Sequence, residues 1–271
     1  MREAVARQRG FALLIVLWTM VLLSLIGSRI AASARAEAQL AANIRDAAVT
    51  EAAADGAIQE AAFHLLEPPP QRWAADGRPR LLQMPGAAVE VRVESEDGKV
   101  NPNLASAPLL TALLHEVGAD TRTAALVADS IMRWRFPWVR PGTNDPTLAA
   151  YRAAGLNYGP AGAPFGSLDE VGAVLGMTPG LLARVRPYLS LYANGTPDPA
   201  SARPPVLAAL QAALGGSAAP PSNAPPTAVA ITAIAAGPNG TKFARDAILR
   251  LSSQSGAPPV QVMAWGTPPT A

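Results

Sequence analysis

The chain has 271 residues, no cysteine, two histidines and a formal net charge of +2 at pH 7. The missing cysteines exclude disulfides, thiolate catalysis and Cys-based zinc sites, and so small a charge argues against a polyanionic partner. Charged residues make up only 15% of the chain while Gly and Pro number 22 and 27, so turns should be plentiful around one large domain or two ordinary ones.

The first ten residues carry Arg2, Arg7 and Arg9 against Glu3, which leaves the remainder electrically neutral. Phe11 to Ser28 (FALLIVLWTMVLLSLIGS) follows without a formal charge. As a helix it would be roughly 27 Å long, close to the hydrocarbon thickness of a bilayer. Its basic leader should stay cytoplasmic and send the rest across. Leu40, Ile44, Ala47, Ala54, Ile58, Ala61 and Leu65 then recur at spacings that form one stripe of a helix. Gly27 and Gly56 are isolated, and no breaker intervenes before Pro68-Pro69-Pro70. The pattern predicts one helix over 11–66, about 84 Å long, starting in the membrane and ending outside it. A cleaved signal peptide is the competing reading, with small-x-small sites at Ala32-Ser33-Ala34 and Ala34-Arg35-Ala36. Its apolar core is usually shorter, and it does not usually continue into such a helix.

Ala88 to Glu94 (AVEVRVE) alternates valines with charged residues, a half-buried strand. Asp97-Gly98 is a turn, after which Lys99-Val100 could start a second strand. The period then becomes helical. Ser106-Ala107-Pro108 opens a helix at 108–117, Gly118-Ala119-Asp120 breaks it, and 121–134 forms another. A Gly/Pro-rich loop over 137–166 contains a short helix near 146–154. Ser167 can cap a helix at 168–175, with Glu170 in the capping-box position, and a further helix is predicted at 180–188. Asn101-Pro102 through Leu113 echoes Asp198-Pro199 through Leu210, each ending in an apolar helix (PLLTAL and PVLAAL). After a linker-like stretch at 215–226 (GGSAAPPSNAPP) come three segments, 229–235, 243–253 and 260–265, whose Val/Ile content and alternation predict strands, although 243–251 also reads as helix.

No arrangement of residues points to catalysis. Ser, Asp and His are too scattered for a triad, and there is no P-loop or dinucleotide fingerprint. His64 and His115 each sit in a helical stretch, and Asp169-Glu170 is the first-turn acid pair that a helix dipole favours. Arg133 to Arg140 (RWRFPWVR) interleaves three arginines with three aromatics, a pattern that could suit single-stranded nucleic acid. The helix pairs around Gly118 and Gly176 also resemble helix-hairpin-helix units, but both turns lack the basic residues that phosphate needs, so nucleic acid is not expected.

Arg9-Gly10-Phe11 before an apolar helix is similar to the leader of type IV pilins and type II secretion pseudopilins. That resemblance implies cleavage between Gly10 and Phe11 by a membrane prepilin peptidase, N-methylation of Phe11, and retention of the apolar segment as an anchor. Most members have glutamate at the fifth place after the cut, where it pairs with the buried amine of a neighbouring subunit. Ile15 stands there instead. Its absence resembles the K type, the minor pseudopilin of the filament tip. Three further blocks resemble the same type in order: Asp97-Gly98-Lys99-Val100-Asn101-Pro102-Asn103, then Ser167-Leu168-Asp169-Glu170-Val171 with Gly176-Met177-Thr178 and Pro187-Tyr188-Leu189, then Pro204-Pro205-Val206-Leu207-Ala208-Ala209-Leu210.

The resemblance implies an α+β, pilin-like fold: a long transmembrane N-terminal helix on a small antiparallel sheet, with a large inserted α-helical domain. The expected organisation is a leader (1–10), the anchor helix (11–66), the sheet's first part (67–103), the helical insert (104–214) and the sheet's second part (215–271). Leu40, Ile44, Ile58 and Leu65 should pack partly on the sheet and partly on neighbouring pseudopilin helices. The implied role is a minor pseudopilin in the bacterial inner membrane, its amino terminus cytoplasmic and its body periplasmic. Its partners would be the I and J minor pseudopilins and other pseudopilins, with which it starts the pseudopilus for protein export. K subunits can bind calcium after the second insert helix. This chain offers only Asp145 there, few oxygens for a calcium shell, so no cofactor is expected, with calcium at Asp145 the alternative left open. The alternative is a secreted helix-hairpin-helix binding protein with a cleaved signal peptide. A mature amino terminus at Phe11 separates the first reading from the second, which would start at Arg35 or Glu37.

Overall fold

In the computed structural model, which describes residues 3–136, 146–215, 225–252 and 256–268, a single helix α1 runs from Glu3 to Leu66. At 1.5 Å per residue it is about 96 Å long. It starts ahead of the expected position 11 and passes through residues 32–36 without a break. Beyond it, five strands form one antiparallel sheet in chain order: β1 (Arg80–Met84), β2 (Ala87–Ser95), β3 (Ala228–Ala236), β4 (Lys242–Leu251) and β5 (Val260–Gly266). The segment at 243–251 is therefore strand, its apolar residues alternating across the sheet as Ala247 and Leu249 turn inward.

The first hairpin differs from expectation. The hairpin partner of β2 is β1, which precedes it through the Pro85-Gly86 turn, while Lys99-Val100 joins no ladder. Asp97-Gly98 does turn, with the Lys99 amide donating to Glu96 O at 3.0 Å. Val100 is then drawn away into a single parallel bridge, donating to Tyr188 O at 2.9 Å and accepting from the Ser190 amide at 3.0 Å. Gly86 has φ +82°, and a Cβ there would lie 2.6 Å from Val49 Cγ1, so the turn needs glycine both for its backbone and for its approach to α1.

One face of the sheet lies on the upper half of α1. Val89, Val91 and Val93, Val229 and Ile231, and Leu249 meet a helix face of Ala53, Ala54, Ala57, Ile58, Ala61 and Leu65. Polar contacts fix the helix to the β3–β4 hairpin: Arg245 donates to Asp55 and Glu51 at 2.6 Å each, Asn239 donates to Asp46 at 2.6 Å, and the Thr50 and Thr241 hydroxyls are 2.9 Å apart.

Between β2 and β3, which pair directly from Ser95↔Val229 to Ala88↔Ala236, the chain makes its helical excursion. It contains α2 (Ala107–Glu116), α3 (Thr121–Arg135), α4 (Pro146–Ala153), α5 (Pro179–Val185) and α6 (Pro204–Ala213). Local chemistry sets their ends. Ser106 caps α2, Asp120 caps α3 and Thr178 caps α5, while Gly118 takes φ +92° between the first two. The helix expected at 168–175 is only a 3₁₀ turn over Asp169–Ala173. Ser167 does accept the Glu170 amide at 3.3 Å, but the Glu170 carboxylate returns to the Gly166 amide, so the capping box is not closed on Ser167. The helix predicted to 188 ends at Val185 and finishes as a 3₁₀ turn over Arg186–Tyr188. The echoing helices α2 and α6 pack on each other, with Leu113 and Leu210 both buried. Most of the linker-like stretch 215–226 lies outside the described residues.

Candidate functional site

From Phe11 to Arg45 every residue of α1 is exposed, and the most apolar 18-residue window has a mean hydropathy of 2.4 with none of it buried. A helix this apolar, uncovered by its own chain, fits hydrocarbon as its surroundings. Its polar side chains obey the same constraint: Thr19 and Ser28 donate their hydroxyls back to Val16 O and Leu25 O, each at 2.8 Å. Gly10 and Phe11 lie on uninterrupted helix. Ile15 shares an apolar patch with Phe11, Leu14, Trp18 and Leu22.

The expected packing stripe divides in two. Ile58 and Leu65 are 0% and 3% exposed against the sheet, whereas Leu40 and Ile44 are 61% and 62% exposed. Leu40 and Ile58 stand on the same face, five turns apart at 3.6 residues per turn. The sheet covers only the upper part of a stripe that continues below it.

The junction between sheet and insert is the other built region, and sequence reasoning assigned its residues to a family block without a job. Asn101 donates to Leu191 O at 3.1 Å and Ala193 O at 2.7 Å. Asn103 donates to Phe165 O at 3.0 Å and accepts the Phe165 amide at 2.7 Å. Asp97 takes the Thr227 amide at 2.6 Å and its hydroxyl at 2.7 Å, tying the exit from β2 to the entry into β3. A Cβ on Gly98 would lie 2.3 Å from Ser201 O, so the returning chain is pressed onto that turn. The only visible signal was the Asn-x-Asn spacing, which says nothing of partners 62 to 92 residues away.

Two residues of the arginine-aromatic stretch belong to the core. Trp134 stacks on Phe165 at 5.8 Å, and Arg135 is 8% exposed, donating to Pro102 O at 2.7 Å and Ala105 O at 2.8 Å. Burial lowers the Arg135 guanidinium from its usual range and raises the Tyr151 phenol, which accepts the Leu175 amide at 3.0 Å. The Asp55 carboxylate, aided by Glu51, raises Arg245 further. His64 stacks on Trp73 at 4.5 Å with Nδ1 2.7 Å from Glu67. Among the described residues no group of three or more acidic or histidine side chains could hold a metal ion. Asp145 lies outside the described residues.

The family description "Type II secretion system (T2SS), protein K" matches residues 87–198, which run from β2 through the junction and most of the insert. Among solved structures, a chain of the GspK-GspI-GspJ complex from the type 2 secretion system of enterotoxigenic Escherichia coli is similar with a TM-score of 0.62 and 16% identity. The match covers 87% of this chain and all of that one. No curated protein matches by sequence. A pilin-like helix on an antiparallel sheet, opened by a helical excursion between two paired strands, holds the matched segment, and through that segment the chain matches the type II secretion protein K pseudopilin family.

Proposed function

We propose that the protein stands at the tip of a type II secretion pseudopilus and helps to start its assembly, together with the I and J minor pseudopilins. Prepilin peptidase cuts between Gly10 and Phe11, Phe11 is N-methylated, and α1 holds the chain in the bacterial inner membrane with its body in the periplasm. Ile15 is the observation that carries the tip reading. A subunit within the shaft needs a carboxylate there for the amine of its neighbour, and an ionised group in hydrocarbon is tolerated only with such a partner. A subunit with nothing above it has no use for that charge, while the Phe11 amine can still meet the glutamate of a subunit below. The insert between β2 and β3 supports this reading by its bulk, which should hinder stacking of another globular domain over it.

The test is gold labelling of the body on overproduced pseudopili. Label at one end of each filament is expected, and label spaced regularly along the shaft would overturn the tip position. In the same strain, the membrane-extracted chain should start at Phe11, and a bulky residue at Gly10 should leave it unprocessed yet still membrane-bound.

A further inference from the structure

A cleft of about 480 Å³ lies between the insert and the sheet face turned away from α1. Ala230, Thr232, Asp246 and Ile248 of β3 and β4 form its floor, while the 3₁₀ turn after Ser167 and the stretch from Arg186 to Tyr192 form its far wall. Three carboxylates and two cations line it, and four of these charges cancel in pairs: Lys99 with Glu96, and Arg186 with Asp169, each at 2.5 Å. Asp246 remains. Its Oδ1 is closed to solvent and accepts no hydrogen bond from any of the described residues. Its ladder neighbours are the uncharged Thr232 and Gly266, and Arg92, beyond Thr232 in the same row, is taken by Glu90 at 2.7 Å.

An unpaired carboxylate with one oxygen withdrawn from water is costly, and it is offset by a cation brought close. A lone carboxylate is too few oxygens for calcium. The remaining lining combines the hydroxyl-bearing Ser167, Ser190, Tyr192 and Thr232 with an apolar strip of three side chains, Leu168, Leu191 and Ile248. A charged head on an aliphatic stem matches both features. We propose that the cleft receives a lysine or arginine side chain of a second polypeptide, the head pairing with Asp246 and the stem lying along those three residues. This holds whether the subunit stands at the tip of the filament or within it.

The test uses the full chain in its own membrane, with a photo-cross-linking residue at Ile248 and, in a second variant, at Thr232. Adducts should map to a segment of one partner centred on a lysine or arginine. Asp246→Asn should lower adduct yield about tenfold or more, the loss expected when one side of a buried charge pair is removed. It should leave the melting temperature unchanged or raised, because it removes an uncompensated charge. Changing the partner's basic residue to Glu should abolish the adduct, and Asp246→Lys should restore it. Several outcomes would overturn the site: yield indifferent to Asp246→Asn, adducts on segments without a basic residue or on lipid alone, or silence at both positions while a cross-linker at Ile44 reacts. A fall in melting temperature on Asp246→Asn would give Asp246 an internal role and overturn it too.

Discussion

The helix-on-sheet unit and the helical insert each bury a core, and the two cores share no residue. They are filled differently. Among the described residues, nine of the 17 core positions on the sheet side are alanine, against five of 23 in the insert, where Leu, Val and aromatics dominate. Alanines bury little apolar area but let a helix backbone lie close to a sheet, where the strand ladder and the Arg245, Asn239 and Thr241 contacts supply what area does not. Among the described residues the insert has no such ladder. Its helices are 7 to 15 residues long, too short to persist alone, so large side chains must hold them. A long rod is thus held by close approach, and a cluster of short helices by volume.

The contrast predicts opposite sensitivities. In the insert, Leu113→Ala or Leu210→Ala should each cost about 2–5 kcal/mol, the range for leucine cavities, because the two sit on helices that pack on each other. At the sheet, shortening has little to remove and enlarging is the threat. Ala57 is fully buried between α1 and the strands, and Ala57→Leu should cost about 1–3 kcal/mol through overpacking. Denaturant melts of the full chain in micelles, with hydrogen exchange read by segment, should show each change loosening its own core first. Equal spread of either effect through both cores would remove the distinction.

The junction sharpens the comparison, since its polar pins Asp97, Asn101 and Asn103 join the two units without belonging to either core, while Val100, Phe165 and Leu189 beside them belong to the insert's core. Asn101→Ala leaves the Leu191 and Ala193 carbonyls without their side-chain donor, at about 1–3 kcal/mol for a buried group left unpaired. Exchange should rise at 189–194 and at the Val100 bridge while α2, α3 and β2–β4 keep their protection. Loss of protection throughout the insert would make Asn101 part of its core.

What could be read from the chain follows the range of each cause. The strands β2, β3 and β4 and the starts of α2, α3 and α5 were legible because alternation and caps such as Ser106, Asp120 and Thr178 act within a few residues. Strand β1 was not, since RLLQM is a five-residue edge strand whose pairing is set by the turn at Gly86. Lys99-Val100 looked like a hairpin partner because Asp97-Gly98 is a good turn. What pulls it away, Tyr188 and Ser190, lies some ninety residues on. The helical stripe of α1 was plain, but a period cannot tell that the sheet ends before it reaches Leu40 and Ile44. The pins Asn101, Asn103 and Arg135, and the unpaired Asp246, acquire meaning only from distant partners or from their lack.

The smallest effect concerns how the insert's short helices are started, and it is a test by pH. Asp120 accepts the Arg122 and Thr123 amides at 3.0 Å each through Oδ1 and the Thr123 hydroxyl at 2.6 Å through Oδ2. The Thr123 hydroxyl first, then these amides, hold its carboxyl below the ordinary value of 3.8 despite some desolvation. A folded value below the unfolded one means that the charged cap stabilises in full above the unfolded value. That contribution is lost as pH falls through the folded value. Between pH 7 and 5 the start of α3 should therefore be indifferent to pH. Asn caps helices about as well as Asp but does not titrate. Asp120→Asn should accordingly lie slightly below the parent chain at neutral pH and converge with it as acid protonates the parent's cap. Parallel melts of the two chains from pH 7 downward measure the gap. A gap of constant size throughout would mean that the charge of Asp120 contributes nothing to the insert and that shape alone starts the helix.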